Sequence, residues 1–305
     1  MSELVFEEIM LNQFLQSFAG TPLTLFFKAV TYFGHPGIWF VLSAWLFWMG
    51  RERKSFIIMS LILFSGFVSG FLKEIIARPR PEGILILAKE SSYSFPSGHA
   101  TLSGAFASFA YFSKKITPLL KYLMIVIAII VAISRIYLGV HFISDVLAGL
   151  IIGTIIGWVI FKAEEKINKM HFHISKIREE YLLVSFFLII LLSDLFVPSQ
   201  YLAAYAFVGY FTGYIIYRHS GIDLTRTKSE KQTLIAVIVG TIILCGLYLF
   251  GDEKTGLVAQ TTFFIAGMFV TIFWPIVIDK VVKKRELQKI RKKESTTKIR
   301  KKRTT

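Results

Sequence analysis

The sequence predicts an all-α fold: a polytopic helical membrane protein with about nine transmembrane helices around a helical-bundle core. Three observations carry this expectation. Over 305 residues the chain is 54% hydrophobic, with a mean hydropathy of +0.60. Its apolar residues come in runs of about twenty, the length that crosses a bilayer core. The period-two alternation of an outer-membrane barrel is absent.

In chain order, residues 1–34 read as an amphipathic, interfacial segment of one or two helices. Val5, Ile9, Phe14, Leu15 and Phe18 fall at near-helical spacing, and Gly20 to Pro22 breaks the run. Glu3, Glu7 and Glu8 stand where a signal peptide would carry cations, so no cleaved signal peptide is expected. The first span is short and Trp-rich, from about His35 to Met49. The second runs from about Phe56 to Ala77 and ends in Lys73, Glu74, Arg78 and Arg80, with Pro79 and Pro81 stopping the helix.

A loop over 82–97 follows, in which Ile84–Leu87 reads either as a lid dipping into the bilayer or as a plain packed loop. The third span starts near Gly98 and is lined with small residues, as close helix packing in lipid requires. The fourth runs from about Leu119 to Tyr137 and the fifth from about Phe142 to Phe161. Residues 35–162 are expected to form the core, and 163–279 to add C-terminal spans near 181–197, 199–217, 232–250 and 256–278.

The net charge of +15 is mostly one tail: residues 280–305 carry thirteen Lys or Arg and two Glu, leaving +4 for the rest. A basic run after a membrane span reads as a cytoplasmic contact with anionic lipid headgroups rather than a nucleic-acid arm. With nine spans, every Lys/Arg-rich connection falls on the same side as this tail, expected to be the cytoplasm. The 78–97 loop and the Leu138–His141 turn then lie on the extracytoplasmic side. Cys245 is the single cysteine, which excludes an internal disulfide and a thiolate metal site.

Three polar groups converge on that outer face: Lys73 with Arg80; Pro96-Ser97-Gly98-His99; and Arg135, His141 and Asp145. Ionisable groups at membrane depth are costly, so they point to function. Two histidines and a carboxylate resemble a metal triad, but three surrounding cations would oppose a dication, so no metal and no other cofactor is expected. Three cations suit a phosphate instead. Ser97 and Gly98, opening a helix, add backbone N–H groups and a positive helix end. Two histidines permit a two-step displacement. His141, four residues before Asp145, is the better nucleophile because the carboxylate can orient it. His99 is then the acid and base. Arg78 lies near these groups but reads as a secondary substrate contact or interface anchor.

Lys73-x6-Arg80-Pro81, Pro96-Ser97-Gly98-His99 and Ser134-Arg135-x5-His141-x3-Asp145 resemble, intact and in order, the three signature motifs of the type 2 phosphatidic acid phosphatase and vanadium haloperoxidase superfamily. The resemblance covers about residues 55–162. It implies a membrane phosphatase core that hydrolyses a lipid phosphate monoester or diphosphate through a phosphohistidine, without a metal. His141 resembles the nucleophile, Asp145 its partner and His99 the acid/base; Lys73, Arg80, Ser97, Gly98 and Arg135 resemble the phosphate binders. The alternatives are a lipid phosphotransferase and a non-hydrolytic phospholipid carrier using the same cleft. Neither the lipid nor the oligomeric state is legible in the residues.

Overall fold

The computed structural model describes residues 3–169, 202–222, 224, 230–281, 283 and 288. Among them every regular element is a helix. Two short N-terminal helices, α1 (Glu3–Ser17) and α2 (Thr21–Thr31), lead through a 3₁₀ turn (Tyr32–Gly34) into α3 (Pro36–Trp48). Pro22 and Pro36 sit in the first turns of α2 and α3, where a missing N–H costs nothing. Then come α4 (Glu52–Ile76), α5 (Gly98–Phe112), α6 (Pro118–Tyr137) and α7 (Ile143–Lys169). The C-terminal part holds α8 (Leu202–His219), α9 (Glu230–Asp252) and α10 (Gly256–Val281), the last interrupted by a π turn at Phe269–Phe273.

Five of these helices, α4, α6, α7, α9 and α10, are long and apolar enough to cross a membrane. Helix α3 is apolar but has only 13 residues, and α5 has 15. Nine spans are therefore not established. The expected span at 181–197 lies outside the described residues. Helix α7 continues to Lys169, past the expected end at Phe161.

Small residues decide how α5 and α7 meet. A Cβ at Gly153 would stand 2.1 Å from the Thr101 carbonyl oxygen, and one at Gly157 would stand 2.2 Å from that of Ala105. The two backbones thus touch along their length, as lipid-embedded helices do when van der Waals contact is the main cohesive term. The C-terminal helices pack on α3 and α4. Trp48 Nε1 donates to the Val270 carbonyl at 2.9 Å, and a buried hydroxyl chain joins Ser43, Ser55 and Tyr210.

Among the described residues, Arg53 and Lys115, from two of the basic connections, share one end of the bundle. Arg53 and Lys115 both pair with Glu164, at 3.4 and 3.2 Å, and Tyr217 donates to Glu52 at 2.8 Å. The end of α4, the starts of α5 and α7 and the end of α6 lie together at the opposite end, where the motif residues gather.

The N-terminal segment differs from expectation. Phe6, Met10, Phe14 and Phe18 face outward, each more than half exposed, as an interfacial helix would place them. One polar row, however, is not in water: Glu8, Asn12 and Gln16 are buried against the end of α6, the His141 turn and the start of α7.

Candidate active site

The site is built on a turn. Helix α6 ends at Tyr137, Gly139 takes φ +74°, and α7 begins at Ile143. A Cβ at Gly139 would stand 2.1 Å from the Leu85 carbonyl oxygen, so a side chain there fails on conformation and on space. The close pass lets the 82–97 loop lie on the turn, with Leu87 N donating to the Leu138 carbonyl at 3.0 Å. The Ile84–Leu87 backbone thus packs on the turn, with the Leu85 and Ile86 side chains outward.

His141 is buried at this turn, with Nδ1 3.5 Å from Asp145 Oδ2 and Nε2 3.5 Å from Arg80 Nη1. Burial, reinforced by Arg135, Arg80 and Lys73, holds its imidazole well below the ordinary histidine range; the Ser94 backbone opposes the shift. At neutral pH the ring is therefore uncharged, the state a nucleophile needs.

Asp145 has no exposed surface and is fully engaged. Its Oδ1 accepts from Arg78 Nη1 at 2.7 Å, and its Oδ2 accepts from the Phe142 N–H at 2.9 Å and from the Ser94 hydroxyl. Arg78 also stacks over the Phe142 ring, 4.1 Å from its centroid, and bonds Ser144 and Glu8. Arg78 is the anchor of the carboxylate, a more direct role than its sequence position outside the motifs indicates.

The second motif meets the third through the backbone: Ser97 N donates to the Asp145 carbonyl at 3.0 Å. Ser97 is the N-cap of α5 and makes no side-chain cap bond, so its hydroxyl has no hydrogen-bond partner among the described residues. The first-turn amides of α5 add donors that the helix cannot satisfy internally. His99 follows in that turn, its ring 6.1 Å from that of His35. Gly34 makes room for it, since a Cβ there would stand 2.8 Å from His99 Cβ.

Lys73 ends α4, buried and bonded to the Tyr93 carbonyl. Arg80 donates to Ser92 O at 2.7 Å and Val140 O at 2.6 Å. Arg135 is 1% exposed and donates to Thr31 Oγ1 at 3.0 Å, while its Nε has no partner among the described residues. Glu90 lies between the two guanidinium groups, 3.7 Å from Arg80 and in direct contact with Arg135. A carboxylate thus occupies the place where sequence reasoning puts an anion.

All eight motif residues gather at one end of the bundle. Reading the motifs missed Glu8, Asn12, Gln16 and Glu90. The first three carry only a weak signal, a recurrence every fourth residue, because Glu3, Glu7, Gln13 and Ser17 of the same helix are polar too. Glu90 carries none, because its placement depends on the path of the loop. Among the described residues, no three His, Cys, Asp or Glu side chains come together at a spacing that would hold a metal ion.

A membrane-type helical bundle that concentrates three cations, an uncapped helix start and two histidines at one end has the chemistry that suits an oxyanion. Comparison with known proteins narrows the class: residues 54–169 match the family model described as the PAP2 superfamily. The chain belongs to that superfamily. It is 34% identical over 137 residues to phosphatidylglycerophosphatase B of Bacillus subtilis, a match covering 42% of this chain and 67% of that protein. It is 36% identical over 110 residues to a lipid A 1-phosphatase of Rhizobium etli, covering 33% of this chain and 45% of the relative. These relatives are phosphoric ester hydrolases acting on lipid phosphates. Among solved structures, a PAP2-type phosphatidylglycerolphosphate phosphatase from Bacillus subtilis aligns with a TM-score of 0.49 at 27% identity, over 55% of this chain and 89% of that one.

Proposed function

We propose that the protein is an integral membrane phosphatase that hydrolyses a lipid phosphate monoester or diphosphate at the extracytoplasmic face, through a phosphohistidine and without a metal. The observation that carries this reading is the gathering of Lys73, Arg80, Arg135 and the open start of α5 around the uncharged His141. Its PAP2 membership and its lipid-phosphatase relatives support the substrate class.

In this mechanism the phosphate sits among the Lys73 ammonium, the Arg80 and Arg135 guanidiniums, the Ser97 hydroxyl and the Gly98 amide. These donors stabilise charge on the transferring group. His141 Nε2 attacks phosphorus, with the Asp145 carboxylate 3.5 Å from Nδ1 to favour a proton there. The bond from phosphorus to the lipid oxygen breaks, and His99, held as the imidazolium by the negative phosphate beside it, gives that oxygen its proton. Water then enters, the now neutral His99 removes its proton, and the phosphorus–nitrogen bond breaks to release inorganic phosphate, leaving His141 neutral and His99 protonated as at the start.

The bundle geometry and charge bias support the orientation. The motif residues lie at the end opposite the basic connections, which the positive-inside rule places in the cytoplasm with the C-terminal tail. The test is phosphate release by the purified chain from phosphatidate, phosphatidylglycerophosphate, polyprenyl diphosphate and lipid A phosphate. Release from none of the four overturns the reading. Lipid movement in proteoliposomes without release favours the carrier alternative.

A further inference from the structure

Helix α1 turns Phe6, Met10 and Phe14 outward and carries three polar side chains into the protein. Glu8, Asn12 and Gln16 recur every fourth residue, so they form one stripe, and all three are buried. Burying two amides and a carboxylate is costly unless each finds a partner. Their partners are concentrated on the turn that carries His141.

Asn12 Nδ2 donates to the Ile136 carbonyl at 2.9 Å and to the carbonyl of His141 itself at 3.1 Å. Gln16 Nε2 donates to the Tyr137 carbonyl at 2.9 Å and the Leu85 carbonyl at 2.7 Å, and its Oε1 accepts from Leu85 N at 3.1 Å. Glu8 Oε1 accepts from Ser144 N at 2.9 Å. Its Oε2 takes Arg78 Nη2 at 2.5 Å, the guanidinium whose other arm holds Asp145 at 2.7 Å. Three side chains of one helix thus hold the backbone on both sides of His141 and, through Arg78, the carboxylate beside it. None of their described hydrogen bonds or ion pairs is to Lys73, Arg80 or Arg135.

We propose that Glu8, Asn12 and Gln16 are positioning residues for His141: α1 is a splint that keeps the imidazole aimed at phosphorus. The proposal rests on the phosphatase reading above. It separates two quantities that a merely structural helix would not separate. If α1 only stabilises the bundle, molecules that fold should turn over normally. If it aims the nucleophile, folded molecules should bind phosphate normally and react slowly, because small misplacements of reacting groups cost large factors in rate.

The experiment compares the full chain in detergent with Asn12→Ala, Asn12→Asp and Glu8→Gln. The readouts are kcat and KM on a short-chain phosphatidate, competitive inhibition by inorganic phosphate, and thermal melting. Asn12→Asp keeps the shape of asparagine but cannot donate to the two carbonyls. Glu8→Gln keeps an acceptor for Ser144 N and removes the charge facing Arg78. The expected result is a fall in kcat of about tenfold or more in each variant, with KM and the phosphate inhibition constant within about twofold of wild type. Wild-type kcat in folded Asn12→Asp overturns the proposal. So does a parallel rise in KM and the inhibition constant at unchanged kcat, which would make α1 a wall of the phosphate cleft. Should the Asn12 variants fail to fold, Glu8→Gln decides, and wild-type kcat in it overturns the proposal. A wild-type chain that releases no phosphate would instead defeat the phosphatase reading, and the positioning role with it.

Discussion

Arg78 Nη1 donates to Asp145 Oδ1 at 2.7 Å, while Asp145 Oδ2 stands 3.5 Å from His141 Nδ1. The carboxylate expected to orient the histidine is itself oriented by an arginine outside the motifs. Both partners are largely withdrawn from solvent, at 19% and 0% side-chain exposure. Removing Arg78 leaves two buried carboxylates, Asp145 and Glu8, without their cation. Arg78→Ala is expected to cost about 3 kcal/mol or more of stability, the usual consequence of breaking a buried pair from one side. Arg78→Lys should recover only part of it, because an ammonium cannot bridge both carboxylates with a planar fork. Thermal melting of both variants in detergent checks this; equal melting of Arg78→Ala and wild type would show that the pair carries no stability.

His141→Ala and His99→Ala are each expected to abolish phosphate release while the protein still inserts and folds. In the proposed mechanism His141 supplies the bond to phosphorus, and His99 supplies the proton to the leaving oxygen. Activity should also survive EDTA. Normal turnover by His141→Ala would remove it as the nucleophile, and a loss on chelation that Mg²⁺ restores would point to a metal mechanism.

The charge state of His141 sets the acid side of the pH profile. Burial and three cations hold its folded-state value well below the ordinary 6.5. The reactive neutral form therefore persists as pH falls through 6.5 and is lost only below the folded-state value. The acid limb of kcat/KM, which reports the free enzyme, should lie well under pH 6.5. Arg80→Gln removes one of the cations and should move that limb upward. The linkage to stability has the same origin. Below 6.5 the unfolded chain takes up the proton and the folded chain does not, so this group's contribution falls as pH drops from 6.5 toward the folded-state value, then levels off. An acid limb at or above 6.5 in the wild type would contradict the buried, cation-lined setting.

Much of this was legible in the residues. Lys73, Arg80, His99, Arg135, His141 and Asp145 stand out because charge and imidazole are costly between apolar runs, and Ser97 and Gly98 because they open a helix. Helix order from His35 to Phe161 follows from apolar run length and from Pro and Gly breaks. What could not be read is which side of α1 turns inward. Val5 and Ile9 suggested an apolar face, while the residues that bind the catalytic turn are polar and their partners are backbone carbonyls. Carbonyls are present at every residue, so no sequence pattern distinguishes the ones at Ile136 and His141. The role of Arg78 was hidden for a related reason: its three polar partners, Glu8, Ser144 and Asp145, come from two distant segments.

Gly139 tests how tightly the turn is constrained. Alanine at φ +74° costs about 1–2 kcal/mol from the backbone alone. Its Cβ, 2.1 Å from the Leu85 carbonyl, must also push the 82–97 loop away. Gly139→Ala should lower both the melting temperature and kcat, since the displaced loop carries Ser92, Tyr93 and Ser94, which bond Arg80, Lys73 and Asp145. Gly83 has φ +75° but nothing within 4 Å of its Cβ position, so Gly83→Ala is the control that carries the backbone cost without the clash. Equal effects of the two substitutions would show that the Leu85 contact is unimportant.

Glu90 makes a prediction of opposite sign, a substitution that improves binding. Its carboxylate touches Arg135 and lies 3.7 Å from Arg80, two of the three cations assigned to the phosphate. An incoming phosphate competes for the same donors, and a like charge held beside it lowers its affinity. Glu90→Gln keeps the size and a hydrogen-bond acceptor but removes the charge. Inorganic phosphate should then inhibit more tightly and KM should fall, each by about tenfold for every 1.4 kcal/mol of repulsion relieved. The effect should shrink as salt rises, because the side chain is a quarter exposed and partly screened. If Glu90 instead serves to hold Arg135 in place, the same substitution loosens the clamp and both constants rise. Inhibition by inorganic phosphate, measured at low and high salt on the two proteins, separates these cases by sign alone.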